Sequence, residues 1–188
     1  MSNRFTRWLR LAIAIVGLAV LGAPVISQTA AAAPTCNVSW GSQEKSGKGA
    51  DPRTAGDIAN LRSGRQQCYD RVVIDISGQA GGYQVKYVPA VRSDTTGERV
   101  PLRGRAALEV RVSNPAYNDA GKPTWTPRDR NNVVNVSGYQ TLRQIAYVSS
   151  VHSQTQIGVG VRARLPFRVM IIKGTATDRL VIDIAHRW

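Results

Sequence analysis

The sequence has little of what most enzymes and membrane proteins need. Its 188 residues include two cysteines, two histidines and twelve acidic residues, and no long helical pattern of apolar residues is present. Among these few acids, no pair is marked out by the sequence as the two carboxylates that sugar-hydrolysing enzymes need. The longest apolar run, residues 11–26, has 16 residues, short of the roughly 20 that a membrane-spanning helix needs. What remains is 43% apolar and 20% charged, which favours a folded domain with a core over wholesale disorder.

The first 33 residues have the pattern of a secretory signal peptide. Arg4, Arg7 and Arg10 precede the apolar run, and four alanines end at Ala33, as signal peptidase requires. Cleavage there leaves one domain, residues 34–188, in a secreted or cell-envelope location. The net charge of +13 then falls by three arginines to +10. The alternative is that the segment stays uncleaved as a membrane anchor, and only then do we expect membrane contact.

The two cysteines predict a structural disulfide. In an oxidising compartment Cys36 and Cys68 have one possible pairing. A reactive thiol pair is disfavoured because the C-x-x-C spacing is absent. The bridge spans 32 residues, which the loop-entropy model values at about 3.5–4 kcal/mol.

The mature chain shows the period-two alternation of half-buried strands, with turn residues between the segments. Many short strands predict an all-β fold, an antiparallel sandwich or barrel. Residues 55–62 are the best candidate for a short helix, and residues 114–132 are expected to form a long loop that Trp125 holds down. The predicted strands are residues 71–76, 83–91, 107–112, 133–136, 143–148, 156–161, 167–172 and 179–184. Glycines interrupt the strand at 156–161, which indicates a bulge or a close backbone approach.

One heptapeptide occurs twice. Residues 70–76 read DRVVIDI and residues 178–184 read DRLVIDI, a match at six of seven positions. The offset of 108 residues is too long for a solenoid repeat. It favours two related halves of a sandwich with one copy in each, although convergence on good strand composition is the alternative. Arg and Asp of such strands can pair across a sheet.

Five stretches carry a family resemblance. They are residues 38–42 (VSWGS), 68–73 (CYDRVV), 82–83 with 87–88 (GY, YV), 158–169 (GVGVRARLPFRV) and 179–186 (RLVIDIAH). The chain resembles the AMIN-like domain family of secreted actinobacterial proteins, which is related to AMIN domains. The resemblance covers nearly the whole mature chain.

The resemblance implies a β-sandwich of two related sheets and a non-catalytic module that binds peptidoglycan. Two departures concern polar positions of the family. Gln66 and Gln67 replace a His-Asp pair, and residues 151–153 (VHS) replace Phe-Glu-Gly. We therefore transfer no metal site, and we expect no cofactor.

Catalytic motifs are weak. Ser42 and Lys45 have the S-x-x-K spacing of penicillin-binding proteins, but no S-D-N or K-T-G follows. Residues 41–49 miss the P-loop spacing and its hydroxyl. His152 is expected to be exposed, and His186 to form a structural hydrogen bond after the last strand. We therefore expect no enzyme, with a wall-acting hydrolase as a third possibility.

Positive charge is the clearest functional signal in the residues themselves. Arg162, Arg164 and Arg168 recur at even spacing, so that in a strand the first two point the same way about 7 Å apart. Arg103, Arg105 and Arg111 form a second cluster. Arginine binds carboxylates and phosphates in a bidentate manner, although a solvated face that keeps the protein soluble is the alternative. The candidate ligand-binding residues are Arg162, Arg164, Arg168, Tyr83 and Tyr87.

Tyr83, Tyr87 and Trp40 either offer flat apolar surfaces to sugar rings or lie in the core or at its rim. We favour the second interpretation for Trp40. The expected partner is peptidoglycan or an anionic wall polymer. In the alternative, this protein is an adaptor that docks on another envelope protein. We expect no nucleic-acid partner, because the chain is exported and lacks the known binding motifs.

Overall fold

A computed structural model describes residues 36–188, so the signal peptide expected at residues 1–33 lies outside the described residues. In chain order the strands are β1 (Lys45–Gly47), β2 (Asp57–Arg65), β3 (Tyr69–Ser77), β4 (Tyr83–Val88), β5 (Ala106–Val112), β6 (Leu142–Val151), β7 (Gln154–Val161), β8 (Phe167–Ile172) and β9 (Thr177–Ala185). From residue 36 onward no helix is present that is long and apolar enough to cross a membrane.

The strands form two antiparallel sheets packed as a sandwich, which confirms the predicted all-β fold. The five-stranded sheet has the order β1-β4-β5-β7-β6, and the four-stranded sheet has the order β2-β3-β9-β8. Alternate residues of each strand face the partner sheet, and Val72, Ile74, Val110 and Ile157 are all fully buried. The core is therefore the aliphatic layer between the sheets, as the alternation predicted.

The two copies of the repeated heptapeptide are neighbours in one sheet. β3 and β9 pair antiparallel, so Arg71 lies opposite Asp183 and Asp75 lies opposite Arg179. The expectation that the copies occupy separate halves of the sandwich is therefore wrong. The cross-strand pairing expected of their charges is confirmed, with Nε to carboxylate oxygen distances of 2.6 Å for Arg71–Asp183 and 3.7 Å for Arg179–Asp75.

The first residue of each copy fastens the two sheets together. At one end of the sandwich, the buried Asp70 accepts hydrogen bonds from the backbone N–H groups of Thr141 and Leu142 at 2.6 and 3.0 Å. At the other end, the buried Asp178 accepts one from the backbone N–H of Ala80 at 2.8 Å. Each carboxylate satisfies backbone donors of the opposite sheet or its loops, which would otherwise be buried without partners.

Residues 55–62, expected as a short helix, lie instead at the start of β2. Ile58 and Leu61 are buried three residues apart, a spacing that one helical turn also produces. Here it arises from a β-bulge, since the register with β3 shifts between Ile58 and Asn60. An extra residue in one strand breaks the period of two, so the helical interpretation is wrong.

Residues 133–136, expected as a strand, form no strand either. The backbone N–H of Val133 donates to the carbonyl of Ile145 at 2.9 Å, and Val136 is buried. These contacts fix the segment beside β6 without a ladder. The long loop at residues 114–132 is confirmed, and Trp125 packs edge-on against Tyr147 with ring centroids 5.4 Å apart.

The predicted disulfide is present between Cys36 and Cys68. It ties the start of the described chain to the turn before β3, next to the C-terminal end of β9, where the backbone N–H of His186 donates to the carbonyl of Cys68. We expect the double variant C36S/C68S to lose about 3.5–4 kcal/mol of unfolding free energy, the loop-entropy value for the 32-residue span. Urea titration measures the loss, and a change below about 1 kcal/mol contradicts this account.

Asp178 predicts an acid-sensitive contribution to stability. Burial alone raises the pKa of this carboxyl, but Lys173 and the backbone N–H groups of Ala80 and Gly174 outweigh burial and leave the pKa below its ordinary value. A group whose pKa is lower in the folded state stabilises the fold at pH values above its unfolded pKa, which is about 4 for an aspartate. This stabilisation is lost as the pH falls through the folded pKa. We expect D178N to cost about 2 kcal/mol at pH 7, with a smaller difference from wild type at pH 3. Urea titrations at both pH values test this, and an equal difference at both contradicts it.

Candidate functional site

One end of the sandwich collects an excess of arginine. Here β2, β4, β7 and β9 end, and β3, β5, β6 and β8 begin. The arginines in the first or last three positions of these strands, or within three residues beyond them, are Arg187 and the following eight: Arg65, Arg71, Arg103, Arg105, Arg143, Arg162, Arg164 and Arg168. We name the surface of these eight the basic end. Within residues 36–188, Asp183 is the one carboxylate that forms ion pairs with these eight arginines.

Arg162 and Arg164 lie in the loop between β7 and β8. Because β7 ends at Val161, the expectation that the two side chains project together from a strand is wrong. Arg162 donates from Nη2 to the carbonyl of His186 at 2.5 Å. Arg164 donates from Nε and Nη2 to the hydroxyl and carbonyl oxygens of Ser42, both at 3.1 Å. Both guanidinium groups are exposed yet held by neutral oxygens, so their charge is not cancelled.

Arg168 belongs to a stack of cationic and aromatic groups on the outer face of the four-stranded sheet. Its guanidinium lies 4.4 Å from the ring centroid of Trp40 and 5.5 Å from that of Tyr69. Arg168 and Arg71 share the fully buried carboxylate of Asp183, at 2.9 and 2.6 Å. Two cations on one anion leave a surplus positive charge. Trp40 is a half-buried rim residue that supports Arg168.

The two candidate tyrosines both face the core and lie at opposite ends of β4. Tyr87 is at the basic end, where its hydroxyl donates to the carbonyl of Leu165 at 3.0 Å and accepts from the N–H of Leu165 at 3.1 Å. Burial raises the pKa of Tyr87, so it stays a neutral donor. The guanidinium of Arg164 lies 5.4 Å from its ring centroid. Tyr83 packs over Gly47 at the far end, and the structure does not bring it to the basic end.

The second arginine cluster of the sequence is divided by the fold. Arg103 and Arg105 precede β5 and join the basic end. Arg111 lies near the other end of β5, in ion pairs with Asp94 at 2.6 Å and Glu109 at 3.3 Å.

Sequence reasoning missed Arg65, Arg71 and Arg143 as members of the basic end. They lie at least 19 residues along the chain from the arginines that the sequence grouped, so no spacing could have added them to those clusters.

Both histidines lie in the environments that the sequence predicted. His186 is buried, and its Nε2 lies 3.0 Å from the carboxylate of Asp70, whose other oxygen holds the backbone of Thr141 and Leu142. His152 is exposed in the turn between β6 and β7, with φ of 49°. Among residues 36–188, no group of three or more His, Cys, Asp or Glu side chains is arranged to hold a metal ion.

Comparison with protein families decides the assignment. The model of the AMIN-like domain matches residues 56–186. The chain belongs to the AMIN-like domain family. No curated protein and no solved structure shows significant similarity to it. The matched range contains all eight arginines of the basic end, whereas the VSWGS stretch at residues 38–42 lies outside it.

Membership of the AMIN-like family suggests a peptidoglycan-related envelope module. The disulfide is consistent with an extracellular location, because such bridges persist in oxidising compartments.

The paired hydrogen bonds of Tyr87 generate a prediction for this AMIN-like domain. Y87F removes the hydroxyl and leaves the N–H and carbonyl of buried Leu165 without it, which we expect to cost about 1–3 kcal/mol of unfolding free energy. Y83F is the matched control, since the Tyr83 hydroxyl has no hydrogen-bond partner among the described residues, and we expect a change below about 0.5 kcal/mol. Urea titration compares the two variants, and equal losses contradict the expected contribution of the two hydrogen bonds between Tyr87 and Leu165.

Proposed function

We propose that this AMIN-like domain is an exported, non-catalytic module that binds peptidoglycan or an associated anionic wall polymer through the basic end. The observation that carries the proposal is the convergence of eight guanidinium groups on one end of the sandwich, with one carboxylate in ion pairs with them. The other described carboxylates that form ion pairs with arginine or lysine lie elsewhere, as Asp94 and Asp75 do.

The chemistry of arginine supports this ligand class. A guanidinium group presents five donors in a planar fork that matches carboxylate and phosphate oxygens, and wall polymers carry both kinds of anion. Arg162 and Arg164 are held in place by His186 and Ser42. Preformed groups lose less side-chain entropy on binding, so the basic end is suited to a repeating anionic polymer.

The location of the protein is part of the proposal. A signal peptide at residues 1–33 delivers the domain to the envelope or beyond it, where anionic wall polymers are abundant and the disulfide persists. The net charge of +10 for residues 34–188 then speeds encounter with polyanions.

A second candidate function, an adaptor that docks on an envelope protein, is favoured by the edge strand β8. β8 pairs with β9 on one side, and Gly41 accepts from the backbone N–H of Phe167 on the other. Beyond that bond, the outward N–H groups of Val169 and Ile171 have no partner within the described residues. An open edge with apolar side chains can accept an extended strand from another protein.

Co-sedimentation with purified sacculi tests the proposed function. We expect the disulfide-intact protein to pellet with sacculi at low salt and to be released as salt rises, because exposed charge pairs are screened. We expect R162Q/R164Q/R168Q to weaken the apparent affinity about tenfold, since three exposed contacts each contribute up to about 1 kcal/mol.

The control variant R53Q/R92Q/K122Q removes the same charge from exposed residues outside the basic end, and we expect less than a twofold change. Circular dichroism verifies that both variants are folded. Wild-type protein that does not pellet at low salt, or equal losses in the two variants, contradicts binding through the basic end. Release of soluble muropeptides instead indicates a hydrolase.

A further inference from the structure

A polar cleft of about 610 Å³ opens in the basic end, apart from Arg162, Arg164 and Arg168. Its walls are the segment before β6, the start of β6 and the residues before β5. The side chains that matter for its chemistry are Arg103, Asn132, Asn135, Ser137, Tyr139 and Arg143. The volume lies within the range of about 300–1,000 Å³ typical of sites for small ligands.

The two cleft arginines are held rigidly by neutral oxygens. Arg143 donates to the backbone carbonyls of Tyr139, Leu142 and Gln140 at 3.0, 2.9 and 3.2 Å. Arg103 donates to the carbonyl of Arg143 at 3.1 Å and to the amide oxygen of Asn132 at 2.7 Å. Since a guanidinium has five N–H donors, Arg103 keeps three and Arg143 keeps two for a ligand.

The backbone that carries Arg103 is also fixed. Its N–H donates to the side-chain oxygen of Gln144 at 2.8 Å. Its carbonyl lies so close to Gly160 that a Cβ there would be 2.0 Å away. The close approach expected from the glycines of β7 is therefore present, and it seats Arg103 at the rim of the cleft.

The cleft carries uncompensated positive charge. Neither Arg103 nor Arg143 forms an ion pair with a carboxylate of the described chain, and Arg65 lies at the rim, 5.9 Å from the ring centroid of Tyr139. The nearby acid is Asp129. Its pKa is lowered mainly by hydrogen bonds from the side chain of Asn132 and the backbone of Asn131, and the charge of Arg103 adds to this. One exposed acid beside three cations leaves a net attraction for an anion, since the buried Asp70 behind Leu142 is already hydrogen-bonded to two backbone N–H groups and contacts His186.

Neutral polar groups lie beside these cations. Asn135 uses its side-chain oxygen to accept from the N–H of Ser137 at 2.9 Å. Its NH₂ group and the hydroxyl of Ser137 have no hydrogen-bond partner among the described residues, and both residues are exposed. Such donors and acceptors match sugar hydroxyl groups, whereas the arginines match an acidic substituent.

We propose that the cleft between Arg103, Arg143 and Ser137 is a binding subsite for a saccharide that carries a carboxylate or a phosphate group. The acidic group binds the free N–H donors of the two arginines, and the ring hydroxyls bind Asn135 and Ser137. This inference rests on the proposed function and deepens it, because it names the sugar unit of the polymer that the cleft binds.

Matched sugar pairs test the subsite by NMR titration of the backbone amide signals. N-acetylmuramic acid and N-acetylglucosamine differ by a carboxylate-bearing substituent, and glucose 6-phosphate and glucose differ by a phosphate. We expect at least one acidic sugar to shift the signals of residues 132–143, and we expect the neutral sugars to have little effect. The two acidic probes distinguish a carboxylate from a phosphate as the preferred group.

Variants locate the binding. We expect R103Q/R143Q to weaken acidic-sugar binding at least fivefold, and R92Q, which removes a distant exposed charge, to change it less than twofold. Because Arg143 also holds three carbonyls, a second variant, S137D, keeps both arginines and places a negative charge in the cleft. We expect S137D to weaken binding to a similar extent.

Three outcomes overturn the inference. They are unchanged binding in R103Q/R143Q and S137D, signal shifts confined to residues 162–168, and inorganic phosphate binding as tightly as glucose 6-phosphate. If the protein pellets with sacculi but binds no acidic sugar, the subsite is wrong and the proposed function remains. If it does neither, both fail.

Discussion

The structure depends on the buried carboxylate of Asp70. It accepts two backbone hydrogen bonds at the start of β6 and contacts His186, so it joins the four-stranded sheet, the five-stranded sheet and the end of the chain. Asp178, its counterpart in the repeated heptapeptide, accepts a backbone hydrogen bond from Ala80 at the other end of the sandwich. Because β3 and β9 run antiparallel, one short motif fastens the two sheets at both ends.

The same antiparallel pairing arranges the surface charge. Asp183 holds Arg71 and Arg168, and Asp75 holds Arg62 and Arg179, so each carboxylate serves two guanidinium groups. Each triad therefore keeps one positive charge while its carboxylate stays paired, as a buried charge requires. Four other arginines of the basic end are instead held by carbonyl, hydroxyl and amide oxygens, which fix geometry without cancelling charge; they are Arg103, Arg143, Arg162 and Arg164. A surface of this kind is preorganised for anions.

Sequence patterns predicted most strands because alternate residues of these strands face the apolar core between the sheets, which imposes a period of two. β8 was predicted with its observed bounds, Phe167–Ile172. The pattern failed at β2, where a bulge after Ile58 imitates a helical turn. It also failed at residues 133–136, whose apolar side chains pack beside β6 and line a cleft. Arg168 could be singled out from its spacing, but its partners Trp40 and Asp183 could not.

The sequence alone determined the all-β class, the disulfide and the excess of arginine over acid, because alternation, cysteine number and composition are local or global properties of the chain. Only the tertiary structure decided that the repeated strands are neighbours, that Tyr83 and Tyr87 face the core, and that arginines from residues 65 to 168 meet at one end. Strand order and chain direction bring distant residues together, and no spacing along the chain encodes which ends of the strands coincide in space.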